Sequence, residues 1–166
     1  ALPIFDTDRT LPAFFWSGGT DMACVADAVA TTRSHAYAHH IERLMYLCAV
    51  LNMMGCRPTT IHDWFMEMVA IDAYDWVMVP NITMGTYRVG NGSSPMTKHP
   101  YFSSYAYIHK MSGEKDEADK EAWNALYYAF LEKHADLHKK NYFTAKQLRL
   151  LDSPEYEASH LSEASH

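Results

Sequence analysis

The chain is poor in the residues that would tie it together covalently. Cys24, Cys48 and Cys56 are three thiols, an odd number with no C-x-x-C pair, so reduced, buried cysteines are expected rather than a disulfide framework. Glycine and proline are scarce at seven each, which excludes a collagen-like or linker composition. No apolar run reaches the roughly 18 residues that a membrane-spanning helix needs. Positive charge is in deficit, with 14 Lys and Arg against 20 Asp and Glu and a formal net charge of −6. That balance argues against a domain that grips nucleic acid phosphates unaided, since such affinity comes from basic groups releasing counterions; a local basic patch stays open. No secretory signal is visible. The chain begins at Ala1 instead of Met, which reads as a processed leader directed to a plastid or other organelle, or as a piece of a longer, otherwise cytoplasmic polypeptide.

What is abundant is aromatic and polarizable. Eleven Tyr, seven Phe, four Trp and ten Met stand in 166 residues that are 48% hydrophobic. This is enough to bury a core, and the composition suits irregular packing or the lining of a flat ligand.

Apolar residues recur at steps of three and four, and no strand-like alternation of useful length appears, so the expected fold is all-α with one long loop containing glycine and proline. Residues 1–19 read as an extended aromatic arm that ends at Ser17-Gly18-Gly19. Thr20 or Asp21 is placed to cap a helix over 22–31. A longer helix over 34–54 would carry Tyr37, Ile41, Leu44, Met45, Cys48 and Leu51 on its stripe and stop at Gly55. A third would present Ile61, Trp64, Phe65, Met68 and Val69 and run on toward Pro80. A polar loop fills 81–100, and a charged connector covers 113–120. A strong helix over 121–137 follows, then a short one near 144–151. Residues 1–151 are taken as one helical domain and 152–166 as a polar tail.

Several constellations bear on chemistry. His35 and His39 are four apart and would share a helix face, a spacing that can hold a metal. There is no H-E-x-x-H, and an exposed pair is the expectation, with no metal. His40 borders the apolar stripe, where a histidine beside a cavity can move a proton near neutral pH. Asp72 and Asp75 lie one helical turn apart, more often a cap or an ion pair than an acid–base couple. Trp16, Trp64 and Trp76 would conduct electrons if a redox group sat among them, although core packing accounts for any one of them. The segment from Gly85 to Gly92 matches neither phosphate-binding glycine motif.

The stretch Ala36-Tyr37-Ala38-His39-His40-Ile41-Glu42-Arg43-Leu44-Met45, then Trp64-Phe65, then Ile71-Asp72-Ala73-Tyr74-Asp75-Trp76-Val77-Met78-Val79-Pro80-Asn81, resembles the photolyase/cryptochrome superfamily. Within it, the chain most resembles the bacterial photolyase-related group that includes the iron–sulfur (6-4) photolyases. Phe15-Trp16-Ser17-Gly18, Thr20-Asp21-Met22, Lys98, Pro100-Tyr101 and Lys110-Met111-Ser112 extend the match, which fades after Trp123-Asn124-Ala125-Leu126-Tyr127. It covers most of this chain and only the C-terminal, flavin-domain part of a family member. The resemblance implies a helical cup for a U-shaped FAD. In it, His40, with His39 beside it, would stand near lesion and flavin as the catalytic histidines. Trp16 and Trp64 would pass electrons to excited flavin. Arg43, Asp72, Asp75 and Asn81 would line the cofactor. The flavin supplies the chemistry there, and the protein orients it.

The departures carry as much weight. Cys24 matches the first cysteine of the iron–sulfur group, but the three later ones have no counterparts after Met111-Ser112. One thiolate does not hold a four-iron cluster, so no cluster is expected. After Asn81 the order is Met84-Gly85 and then Tyr87-Arg88-Val89-Gly90-Asn91-Gly92, without the acidic residue the family places near the flavin. The upstream helices that supply the opposite wall of the cup are also missing. Both features weaken the case for tight FAD binding. The expectation is a degenerate, non-repairing relative that serves as an accessory or scaffold subunit, with other protein subunits covering an exposed aromatic face. The alternatives are a light-driven, FAD-dependent DNA photolyase or cryptochrome of which this is the C-terminal part, with DNA as partner, and a flavin module for redox or light sensing.

Overall fold

A computed structural model describes residues 8–70, 101–113, 116–140, 142–154 and 156. Helix is the regular structure of these residues: no strand occurs among them, and one isolated bridge pairs Arg9 with Cys56. The all-α expectation holds. The chain divides into two compact units, Ala1–Ser103 and Ser104–His166.

In the first unit the described part of the arm is non-helical up to Ala13 and takes one helical turn at its aromatic run. Phe14–Ser17 forms one turn, α1, because Pro12 and Ala13 offer their carbonyls to the following N–H groups. Gly18, at φ +80°, ends it, a left-handed stop that glycine adopts without a Cβ penalty. Helix α2, Ala23–His35, buries Cys24, Val25, Ala28, Val29 and Thr32 on one face. It starts without a side-chain cap; Thr20 instead accepts the Met22 N–H at 3.4 Å, a local turn that takes the cap's place.

The long second helix over 34–54 is not continuous. Ala36 sits at φ +52°, left-handed for a residue with a Cβ, and its carbonyl accepts the Ala70 N–H at 2.9 Å. Helix resumes at His40. It winds as π-helix over Glu42–Cys48 and passes into α-helix α3, Ala49–Met53. Every residue from Arg43 to Met53 is buried, so this is a core helix buried on all sides and not an amphipathic one. Gly55, at φ +75°, turns the chain as its position suggested. Pro58 then opens α4, Pro58–Met68, at the first helical position, where its missing N–H costs nothing. The extended segment beside this turn is fixed by Arg9 N–H to the Gly55 carbonyl at 3.1 Å and Arg57 N–H to the Arg9 carbonyl at 2.9 Å. Ile61, Trp64 and Phe65 fill the core from α4. The expected continuation of this helix to Pro80 and the polar loop after it lie outside the described residues.

The second unit is built on α6. Before it, α5, Tyr105–Ser112, ends at Gly113 with φ +75°. Helix α6 spans Glu117–Lys133 and starts inside the expected connector, because Asp116 caps it by accepting the N–H groups of Ala118 and Asp119. The Asn124 amide oxygen accepts the Tyr105 N–H at 2.9 Å and binds α5 to α6. The expected stripe on α6 is present, with Trp123, Tyr127, Phe130 and Leu131 buried. The helix breaks at His134 instead of running to 137 and continues as α7, Ala135–Lys139. Helix α8, Tyr142–Ala145, and a 3₁₀ turn, Gln147–Asp152, fold back against it.

Candidate functional site

The residues singled out by sequence converge on the start of the π-helical segment. His39 is the capping residue there. Its Nδ1 accepts the Ile41 N–H at 3.2 Å, while the Glu42 carboxylate accepts the His39 N–H at 2.7 Å. This is a reciprocal capping box with an imidazole in place of the usual hydroxyl. It fixes the tautomer of the neutral ring, since an accepting Nδ1 leaves the proton on Nε2, and the residue is exposed. His35 stays on the last turn of α2, bonded to the Thr31 carbonyl at 3.2 Å. The left-handed Ala36 therefore separates two histidines that the sequence spacing had placed on one face, and the metal-type pair dissolves. Among the described residues, no cluster of three or more His, Cys, Asp or Glu side chains is arranged for a metal.

His40 follows the cap and is half-buried. Burial holds its imidazole below the ordinary value, and the positive Arg43 and neighbouring His39 push the same way, so it is neutral at physiological pH. Arg43 is the unusual member of the set, a guanidinium only 3% exposed, one turn further along and 5.9 Å from the centre of the Tyr37 ring. A buried charge is retained only where partners hold it. Asp72, Asp75 and Asn81, expected to share the site, fall outside the described residues, as does Trp76.

The tryptophans separate by environment. Trp64 is 1% exposed; its indole N–H donates to the Phe15 carbonyl at 3.2 Å. Its ring stands edge-on to Phe15 and to Phe65, each with centroids 5.0 Å away. Trp16, next to Phe15 in sequence, is 45% exposed. Exposed aromatics are present, as expected of a chain with an aromatic face, at Trp16 and Tyr142.

Sequence reasoning missed a cleft of about 420 Å³ in the second unit, lined by Tyr105, His109, Asp116, Lys120, Asn124 and Tyr128 among others. Its residues come from α5, α6 and their capping residues, with Leu150 from the 3₁₀ turn, and only their packing assembles it. Lys120 in this cleft pairs with Glu117 at 3.2 Å.

The first unit thus brings a deeply buried arginine, a half-buried histidine and a buried tryptophan together in an all-helical setting. Comparison gives the chain a family. The chain is 38% identical over 152 residues to a (6-4) photolyase of Agrobacterium fabrum, a match that covers 86% of this chain and 29% of that protein. This homology places the chain in the photolyase/cryptochrome superfamily. It is also 37% identical over 97 residues to an uncharacterised protein of Acanthamoeba polyphaga mimivirus, covering 57% of this chain and 76% of the viral protein. The chain spans less than a third of the length of the photolyase it matches. No family model matches it.

Proposed function

We propose that this chain forms one wall of a photolyase/cryptochrome-type flavin site and corresponds to the C-terminal part of a family member. The observation that supports the reading best is Arg43, a guanidinium buried at 3% exposure on a seven-residue π-helical segment. π-Helical insertions are rare and recur at functional sites. A buried cation next to a neutral imidazole is a donor set suited to an anionic or electron-rich ligand, and in that respect the residues fit FAD. Bound there, the flavin would supply light-driven electron transfer. Arg43 would balance its negative charge, His40 would stand as a neutral hydrogen-bonding group, and Trp64, held by Phe15 and Phe65, would be a buried aromatic relay for electrons, with Trp16 as its exposed counterpart.

A second reading is favoured by the charge of −6 and by the engagement of His39 in a cap: a non-repairing relative acting as an accessory subunit, without an iron–sulfur cluster. Native purification and an absorption spectrum separate the two. A flavin band that bleaches on illumination, and that Arg43→Leu abolishes in a chain that still folds, supports the flavin site. A colourless protein that takes up no added FAD and co-purifies in a large assembly overturns it in favour of the accessory role. Repair of a (6-4) lesion lost on His40→Ala would exclude the non-enzymatic reading.

A further inference from the structure

The flavin reading leaves the cleft of the second unit unused. Its volume of about 420 Å³ suits one small molecule. On α6 the lining follows one column, Asp116, Lys120, Asn124 and Tyr128 at steps of four, because residues four apart share a helix face. Burial grades along that column. Asp116 is exposed, Lys120 and Asn124 are half-buried, and Tyr128 is buried, as is Tyr105 on α5. The cleft therefore runs from a charged mouth to an aromatic inner end.

Two polar groups in the cleft are fixed in place and keep bonding capacity. The Asn124 amide oxygen accepts the Tyr105 N–H at 2.9 Å. That bond decides which way the amide faces, since only its oxygen can accept. The amide nitrogen is left as a positioned donor that meets no acceptor among the described residues. At the mouth, one Asp116 oxygen accepts both cap N–H groups, from Ala118 at 2.8 Å and Asp119 at 3.2 Å. The second oxygen, held by the same cap, accepts from nothing among the described residues. Eight residues of helix, about 12 Å, separate the donor from this acceptor. The cap already satisfies first-turn N–H groups, and the Asp116 and Glu117 carboxylates face one Lys120 ammonium at the mouth. That end therefore does not favour an anion.

We propose that this cleft binds an uncharged nucleoside-like ligand, a flat heterocycle whose ring acceptor takes the Asn124 amide N–H at the aromatic end and whose hydroxyls donate to Asp116 at the mouth. The match is one of shape and of hydrogen-bonding sense. The tyrosines bury a flat ring, a donor beside them selects an acceptor on that ring, and a carboxylate at the far end selects hydroxyls. A plain hydrocarbon would leave the Asn124 donor unpaired, at the cost of a buried polar group without a partner. A phosphate would bring its charge against two carboxylates. The flavin residues of the described chain belong to the first unit, so the two sites stand or fall separately.

An NMR titration of the isotope-labelled full chain with adenosine, and separately with uridine, tests this. At least one of them should saturably shift the Asn124 side-chain amide and the backbone amides of Tyr105 and Tyr128, while α2 and α4 stay unmoved. Asn124→Asp keeps an oxygen for the Tyr105 N–H and puts an acceptor where the donor was. Its affinity should fall at least roughly tenfold. Asp116→Ser, which still caps α6, should weaken binding roughly threefold or more. The monophosphate of whichever nucleoside binds should bind more weakly than the nucleoside, and Glu117→Gln should narrow that gap. Absence of a saturable shift in α5 and α6 with both nucleosides, unchanged affinity in either variant, or tighter binding of the monophosphate would each overturn the proposal. Should Asn124→Asp not fold, the wild-type titration and Asp116→Ser decide.

Discussion

Single side chains in the first unit are held by unequal means. Asn52 is 1% exposed, and neither its amide nitrogen nor its amide oxygen has a hydrogen-bond partner. A buried amide left unsatisfied costs about 1–3 kcal/mol, whereas an apolar residue of similar shape there is nearly neutral or favourable. Asn52→Leu is therefore expected to stabilise the chain by about 1 kcal/mol, read as a higher denaturation midpoint at unchanged slope. A destabilised Asn52→Leu would mean that the amide is better accommodated there than its burial implies. His39 carries the opposite expectation. Its loss in His39→Ala removes one half of the capping box and should cost about 0.5–2 kcal/mol. His39→Asn, another good cap, should restore most of that stability. If His39 also acted in repair, Asn would rescue stability but not activity. Of these residue-level features, the neutral His40 beside the apolar stripe was legible from spacing. Arg43 was legible through family resemblance alone, since nothing in periodicity marks a buried arginine. The cap on His39 was hidden because imidazole is not a usual capping group, although Glu42 three residues later is the reciprocal partner a capping box calls for.

Helix identity followed from the three-and-four pattern, and errors gathered at boundaries, where one residue's backbone decides. The sequence offers no proline or glycine between Ser34 and Met54, so a continuous helix was the natural reading. The break at Ala36 depends on a tertiary bond from Ala70, which no local rule reveals. Glycine stops at 18, 55 and 113 were more transparent, each at positive φ, as a left-handed terminus requires. The start of α6 illustrates a misread charge run. Asp116 to Lys120 looked like a connector, yet Asp116 satisfies two N–H groups of the first turn at 2.8 Å and 3.2 Å. Asp116→Ala should cost about 1 kcal/mol, and Asp116→Ser much less. Exchange protection localised to the first turn of α6 is the measurement, and equal losses in both variants would show that the carboxylate's charge, not the cap, matters.

Across the molecule the chemistry-bearing groups are distributed unevenly, and this gives a probe for one unit at a time. All three cysteines lie in the first unit and all are buried, as the absence of any C-x-x-C pair suggested. Burial pushes the Cys48 thiol up to about 12 and the Cys56 thiol up to about 11, each opposed only in part by a nearby arginine. The Cys56 thiol also donates to the Thr10 carbonyl at 3.5 Å. Because the thiolate is the reactive form, both should resist alkylation in the folded chain at mildly alkaline pH and react only through opening. Labelling rates at increasing denaturant, resolved by peptide mapping, are expected to rise for Cys48 and Cys56 in parallel with loss of the Trp64 environment. They sit on the core helix and on the turn that follows it, so no smaller opening frees Cys48. Rapid labelling of Cys48 in the absence of denaturant would show that the helix from Glu42 to Met53 is not a stable core. The flavin wall built on Arg43 would then lose its foundation.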